Sequence, residues 1–429
     1  MKNLTMKPAF PPVNRLPRLR GRPGILQQMA RGLVLRRLES LIRGRLIIVE
    51  GEQIHRFGEK HASLSATIRV QDSRFYGEIA FGGSIGAGES YMHGYWSCDD
   101  LTALIRIMGL NQPVTDHLEG GLALLARPFL KTLHWLNRNT QDGSLRNIAA
   151  HYDLGNAMFE LFLDPTMMYS CAVFERPDLT LEQASLCKLE RICHKLQLGE
   201  NDHVLEIGSG WGGFAIYAAR NHGCRITTAT ISKEQYELAV SRVSQAGLGD
   251  QIEVLLCDYR NLQSRYDKLV SIEMIEAVGH QFYDTYFAKC ASLLKPEGMM
   301  LLQAITIADQ RYEAAKSSVD FIQRHIFPGS TIPSVTAMLQ SITRASDLRL
   351  FDLEDIGPHY ARTLAEWRRN FFRNLPRIKA LGYPEEFIRM WEFYLCYCEG
   401  GFEERALGNV QMLLVKPDNR RAVTRRIGR

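Results

Sequence analysis

The 429-residue chain has no apolar run long enough to cross a bilayer as a helix. Its Arg-rich beginning lacks the apolar block and small-residue cleavage site of a secretory signal. An integral membrane protein and a secreted disulfide scaffold are therefore not expected. The nine cysteines include no Cys-x-x-Cys pair and no His-rich metal spacing, so the sequence gives no ground for a metal site and reads as reduced thiols in a cytoplasmic protein. Internal repeats and low-complexity tracts are missing too. What remains, 45% hydrophobic and 23% charged, is a globular composition in a chain long enough for two domains or more.

Charge is unevenly placed. Residues 1–45 carry eleven Lys or Arg against Glu39, and residues 416–429 carry six against Asp418, so the body of a chain with net charge +5 is itself acid by ten. Two basic ends on an acidic body suit an anionic surface. Between Pro23 and Arg43 the residues Ile25, Met29, Leu33, Val34, Leu38, Leu41 and Ile42 fall near helical spacing with Arg between them, as in a helix lying at a membrane interface. A solvated arm, or a helix docked on its own protein, fits the composition equally well. Nucleic acid is not expected, because the basic stretch lacks interleaved aromatics that would stack on bases.

Residues 46–115 read as a small α+β unit. Strands are expected at Leu46–Val49, Ala66–Val70 and Gly77–Phe81, and a helix at Leu101–Leu110; residues 116–150 read as a connector. From about Leu198 a pattern of strand, glycine turn and helix repeats. Strands are expected at His203–Ile207, Cys224–Thr230, Ile252–Leu256, Lys268–Ile272 and Met299–Thr306, then a helical insertion over 308–347, a strand at Leu350–Ile356, two helices and a last strand at Val410–Val415. That alternation specifies a doubly wound parallel sheet within residues 151–415, whose ligands bind outside the carboxyl ends of the strands.

The first of those strands runs into Glu206-Ile207-Gly208-Ser209-Gly210-Trp211-Gly212-Gly213, a turn whose backbone can approach a ligand closely. A dinucleotide would call for an acid about 20 residues on, and the second strand ends Ala229-Thr230-Ile231-Ser232 instead. S-adenosylmethionine fits better: the turn amides and Glu206 can receive its amino-acid part, and Asp258 and Tyr259 the adenine amine and face. Trp211 reads equally well as an indole packed beneath the turn, and Cys224 and Cys257 as buried strand cysteines.

Several separated runs carry a resemblance. Tyr169-Ser170-Cys171-Ala172, the glycine turn, Thr230-Ile231-Ser232-Lys233-Glu234-Gln235, Ser271-Ile272-Glu273-Met274-Ile275-Glu276-Ala277-Val278-Gly279 and Tyr283-Asp284-Thr285-Tyr286-Phe287 resemble the cyclopropane fatty acid synthase family. Gly88 to Trp96 and Ile326-Phe327-Pro328-Gly329 extend the likeness, which spans roughly residues 45–415. It implies a Rossmann-like S-adenosylmethionine-dependent methyltransferase domain with a smaller N-terminal α+β domain. The implied activity adds a methylene across a cis double bond of a phospholipid acyl chain, with Tyr169, Ser170, Gly208 to Gly213, Thr230, Gln235 and Tyr259 on the cofactor. The family's base is a bound bicarbonate, held by a Cys, a Glu, a His, a Tyr and a backbone amide. Carried across, these are Cys171, Glu276, Tyr360 and the amide of Ile305, while Gln303 stands where the His belongs. Glutamine can donate a hydrogen bond but cannot exchange a proton as imidazole does. His280, His325 and His359 are candidates to replace that imidazole. Cys398 aligns with a cysteine the family is said to use, and reads equally well as a buried structural thiol.

The resemblance further implies a phospholipid membrane surface as partner, a peripheral place on the inner face of the membrane, and a homodimer through the N-terminal domain. Two alternatives stand beside ring formation. With Gln303 the product becomes a methyl-branched or methylene chain, or the protein binds lipid without turning it over.

Overall fold

The computed structural model describes residues 24–120 and 155–420, so the basic segment before Gly24, most of the expected connector and the end of the basic tail lie outside the described residues. Two sheets organise the rest. The smaller has four strands, β1 (Arg45–Glu50), β2 (Gln53–Gly58), β3 (Ser65–Val70) and β4 (Trp96–Cys98), in the order β2-β1-β3-β4. Helices Ile25–Leu38, Arg74–Met92, Leu101–Leu110 and Gln112–Gly120 belong to the same unit.

The segment Gly77–Phe81, expected as a strand, is part of the helix Arg74–Met92. Its glycines, which look like turns in the sequence, have other work. Gly83 sits at φ +56° and kinks the helix, while a Cβ on Gly88 would come within 2.3 Å of the Phe321 ring. Small residues were needed there for close packing, not for reversal. The helix Ile25–Leu38 is docked in part: Ala30, Val34 and Leu38 are buried, Arg31 pairs with Glu50 at 2.7 Å, and Ile25, Leu26, Met29 and Ile42 stay exposed.

The larger sheet has seven strands: β5 (His203–Ile207), β6 (Arg225–Thr230), β7 (Ile252–Leu256), β8 (Tyr266–Ile272), β9 (Leu294–Ile307), β10 (Arg349–Asp355) and β11 (Leu407–Val415). Their order is β10-β11-β9-β8-β5-β6-β7. β9, β8, β5, β6 and β7 run parallel, and β11 lies antiparallel between β9 and β10. The central strands are apolar on both faces, with Val204, Leu205, Leu269, Val270, Leu301 and Leu302 at 0% exposure, because helices cover each side.

A helical insertion, Asp309–Lys316, Phe321–His325 and Val335–Ala345, follows β9. The helices Gly357–Arg373 and Glu385–Glu403 precede β11. The second of these buries Phe387, Trp391, Phe393, Tyr394 and Leu395 in one apolar cluster that also holds Ile48, Phe75, Trp96 and Leu104 of the small unit. The two sheets are thereby joined through a common core.

Candidate active site

The order of the large sheet reverses at β5, whose neighbours β6 and β8 lie on opposite sides, and the carboxyl ends of the strands open there onto a cavity of about 1030 Å³. A single small-molecule pocket measures roughly 300–1,000 Å³, so the space suits two ligands. One end is bounded by the glycine turn and the ends of β6 to β9; the other runs among Val34, Leu38, Leu46, Ile48, Ile68 and Phe75 of the small unit. Polar chemistry gathers at the first end and apolar surface at the second.

On the cofactor side, Gly208, Gly210 and Gly212 have φ of +95°, +49° and +82°, a conformation in which a side chain is strained. A Cβ on Gly210 would point into open space, so the turn presents bare backbone to the cavity. Tyr169, Ser170, Glu206, Gly208, Gly210, Trp211, Thr230, Gln235, Asp258 and Tyr259 line it together. Gly212 and Gly213 do not line it: a Cβ on Gly213 would meet the Thr166 carbonyl at 2.4 Å and one on Gly212 would meet Ala239, so these glycines serve helix packing.

The neighbours of these residues refine their roles. Trp211 donates Nε1–H to Asn156 at 2.7 Å and packs on Phe159, which is a structural seat for the turn. Thr230 Oγ1–H donates to Gln235 Oε1 at 2.9 Å and accepts the Ser232 amide at 3.1 Å. Asp258 is gripped by Arg260 through Nε at 2.8 Å and Nη2 at 2.6 Å, so an adenine amine there would share a carboxylate already paired. Glu206 is enclosed, accepts from Thr228 Oγ1 at 2.6 Å, and is pushed by burial to a pKa of about 8. Lys188 Nζ, buried and lowered to about 8 by desolvation, donates to Ser170 Oγ at 3.0 Å. The open backbone turn and the ring of polar groups fit S-adenosylmethionine.

On the reaction side the geometry departs from expectation. Cys171, Gln303 and Tyr360 do meet, but around Glu273, a residue given no role by the sequence. Glu273 Oε1 accepts from the Cys171 amide at 3.0 Å, Gln303 Nε2 at 2.9 Å and Asn409 Nδ2 at 2.6 Å; Oε2 accepts from the Tyr360 hydroxyl at 2.6 Å. The Ile305 amide donates to Glu276 Oε1 at 2.5 Å, and Glu276 Oε2 has no hydrogen-bond partner among the described residues. Burial first, and the nearby Glu273 charge second, push Glu276 to a pKa of about 8.

Bicarbonate does not fit this arrangement. Of the five groups expected to hold it, four, at Cys171, Gln303, Ile305 and Tyr360, already donate to a carboxylate of the chain, the fifth is the Glu276 carboxyl itself, and a further anion would be repelled by Glu273. Gln303 and Cys171 are wholly buried behind the cavity wall instead of lining it. Burial raises the Cys171 and Cys398 thiols, so both are neutral. Cys398 lines the cavity near Asp320 but stands outside the Glu273 cluster. Among the described residues no histidine donates to Glu273 in place of the absent imidazole: His325, for one, faces Glu89 at 3.1 Å.

Sheet register explains the residues the sequence did not flag. Ile272 of β8 pairs with Gln303 of β9, which pairs with Gln411 of β11, and Asn409 pairs with Ile305. Asn409 is thus delivered by a strand over a hundred positions away, with no local motif. Glu273 did carry a local sign, a second carboxylate three residues before Glu276 just past the carboxyl end of a parallel strand.

Comparison with known proteins is consistent across sequence and structure. The family described as mycolic acid cyclopropane synthetase matches residues 139–412. A tuberculostearic acid methyltransferase of Mycobacterium tuberculosis is 40% identical over 343 residues, 78% of this chain and 79% of that one. A cyclopropane-fatty-acyl-phospholipid synthase of Escherichia coli K12 is 39% identical over 352 residues, 80% of this chain and 86% of that one. Among solved structures, a mycolic acid cyclopropane synthase complexed with SAH and CTAB superposes with TM-score 0.59 at 31% identity, covering 63% of this chain and 98% of that one.

Proposed function

The chain belongs to the mycolic acid cyclopropane synthetase family and is an S-adenosylmethionine-dependent methyltransferase; from that premise we propose that it methylates a cis double bond in the acyl chain of a membrane phospholipid and closes the product to a cyclopropane. The observation that supports this reading is the single cavity in which the glycine turn, two carboxylates and a long apolar recess are continuous.

S-adenosylmethionine supplies an electrophilic methyl group on a positive sulfonium. The protein's part is to hold a weak nucleophile, the alkene, in line with it, where proximity and orientation lower the barrier. The apolar recess from Phe75 to Leu38 suits an acyl chain and keeps water from a cationic intermediate. Tyr169, whose hydroxyl lies 2.7 Å from that of Tyr394, and the face of Phe327 border the junction of the two halves.

The substrate is met at an anionic membrane surface. Ile25, Leu26 and Met29 of the helix Ile25–Leu38 and Ile42 just after it are 67–79% exposed, Arg36 and Arg43 are exposed too, and Val34 and Leu38 of that helix line the apolar recess. Insertion of such a face adds to attraction for anionic lipid.

A second reading, a methylene-branched product, is favoured by the nearly equal identity to a tuberculostearic acid methyltransferase. The purified chain, incubated with S-adenosylmethionine and dioleoyl phospholipid vesicles, decides between them. Ring closure adds one CH2 and gives a chain that ozone does not cleave; a methylene-branched chain has the same mass and is cleaved. Unchanged lipid would refute both.

A further inference from the structure

Cys171, Gln303 and Tyr360 were expected in an anion site, and each is spoken for by the Glu273 carboxylate of the chain itself. Among the described residues four groups donate to the Glu273 carboxylate: two side-chain amides, one backbone N–H and one phenol. Such a ring of donors suits the acceptor oxygens of a carboxylate. Gln303 Oε1 accepts from Gln411 Nε2 at 3.0 Å, which leaves its Nε2 facing Glu273.

The backbone tells the same story. Glu273 has φ +51°, the left-handed region that costs a side-chain-bearing residue energy and that glycine takes freely. A strained non-glycine residue at the mouth of a cavity, over-determined by its hydrogen bonds, is the pattern of a functional position.

We propose that Glu273 is the built-in base of this enzyme, its carboxylate standing where related chains would bind bicarbonate, so that turnover needs no dissolved anion. The proposal takes from the preceding section what is deprotonated; what occupies the site is an independent matter. As the methyl carbon bonds to one alkene carbon through the π pair, its bond to sulfur breaks and that pair stays on sulfur as a thioether. The other alkene carbon is left cationic. Glu273 Oε2, on which the Tyr360 hydroxyl lies, takes a proton from the new methyl group, and the freed C–H pair closes the ring. The proton later passes to solvent, and nothing else is consumed.

The test compares the full chain with Glu273→Gln and Glu273→Gly. Gln keeps the shape, and Gly suits the backbone angle, so both are expected to fold and to bind S-adenosylmethionine in calorimetry with unchanged affinity. In argon-sparged buffer the unaltered chain should release S-adenosylhomocysteine at the same rate with or without millimolar bicarbonate, and Glu273→Gln should lose about 100-fold, as for removal of a general base. In Glu273→Gly the vacated donors can take up the anion, so bicarbonate should restore turnover by about tenfold and raise the melting midpoint by mass action. Bicarbonate should leave the midpoint of the unaltered chain where it was. A bicarbonate-dependent midpoint in the unaltered chain overturns the proposal, as does a tenfold fall in its rate on bicarbonate removal or full activity in Glu273→Gln. If the unaltered chain acts on no lipid, the function proposed above fails, and the melting arm alone still decides who fills the site.

Discussion

Replacing Glu276 by Gln should stabilise the protein, and by more as the pH rises. The folded chain holds this carboxyl at a pKa of about 8 against an ordinary 4.5, because it is buried and faces the Glu273 charge. Between those limits the folded state keeps a proton that the unfolded state gives up. Stability from this group is therefore complete below about pH 4.5 and is lost at about 1.4 kcal/mol per unit as pH climbs toward 8. At pH 7.5 the loss is about 4 kcal/mol. Gln is shaped like the protonated acid, can still accept from the Ile305 amide, and places an N–H where Oε2 has no partner. Thermal melts of both proteins at half-unit steps from pH 5 to 8.5 read the effect. At about 2 °C per kcal/mol for a unit of this size, the midpoints should coincide near pH 5 and differ by roughly 5–8 °C at pH 7.5. A difference that is the same at both pH values, or one that favours Glu276 at high pH, refutes the reasoning.

Gly210→Val should abolish S-adenosylmethionine binding in calorimetry, since a branched side chain at φ +49° would stand in the space the cofactor needs; unchanged affinity in a folded variant would take the turn out of the site. The triple change Ile25→Ser, Leu26→Ser, Met29→Ser should cut sedimentation with anionic vesicles about tenfold while leaving the melting midpoint within a few degrees, because all three side chains are exposed. High salt should weaken vesicle binding of the unaltered chain, and a salt-independent result would argue for purely apolar attachment. Cys398→Ala should keep the rate within about threefold, since a thiol whose pKa is raised by desolvation is a poor nucleophile even where it lines the cavity; a loss comparable to that expected for Glu273→Gln would restore the cysteine to the chemistry.

The large sheet was readable from the sequence because its strands are short apolar runs separated by glycine turns and amphipathic helices. His203–Ile207 and Ile252–Leu256 fall where periodicity puts them. Gly77–Phe81 was misread because alternation and glycine both have a second meaning, a kinked helix packed on Phe321. The cofactor side was legible since the turn is contiguous. The reaction side was not: Cys171, Glu273, Gln303, Tyr360 and Asn409 come from five places, and only strand register unites them. Donors could be counted from sequence, but which acceptor they had already found could not.

β11 is the last strand in sequence among the described residues and sits in the interior of its sheet, flanked by β9 and β10. Until it inserts, both neighbours offer bare edges, and Glu273 lacks the hydrogen bond from Asn409. Synthesis therefore finishes the scaffold and the proton acceptor in one event. A polypeptide that stops short of residue 407 keeps two strand edges open to other chains and lacks one of the hydrogen bonds that hold Glu273 in place.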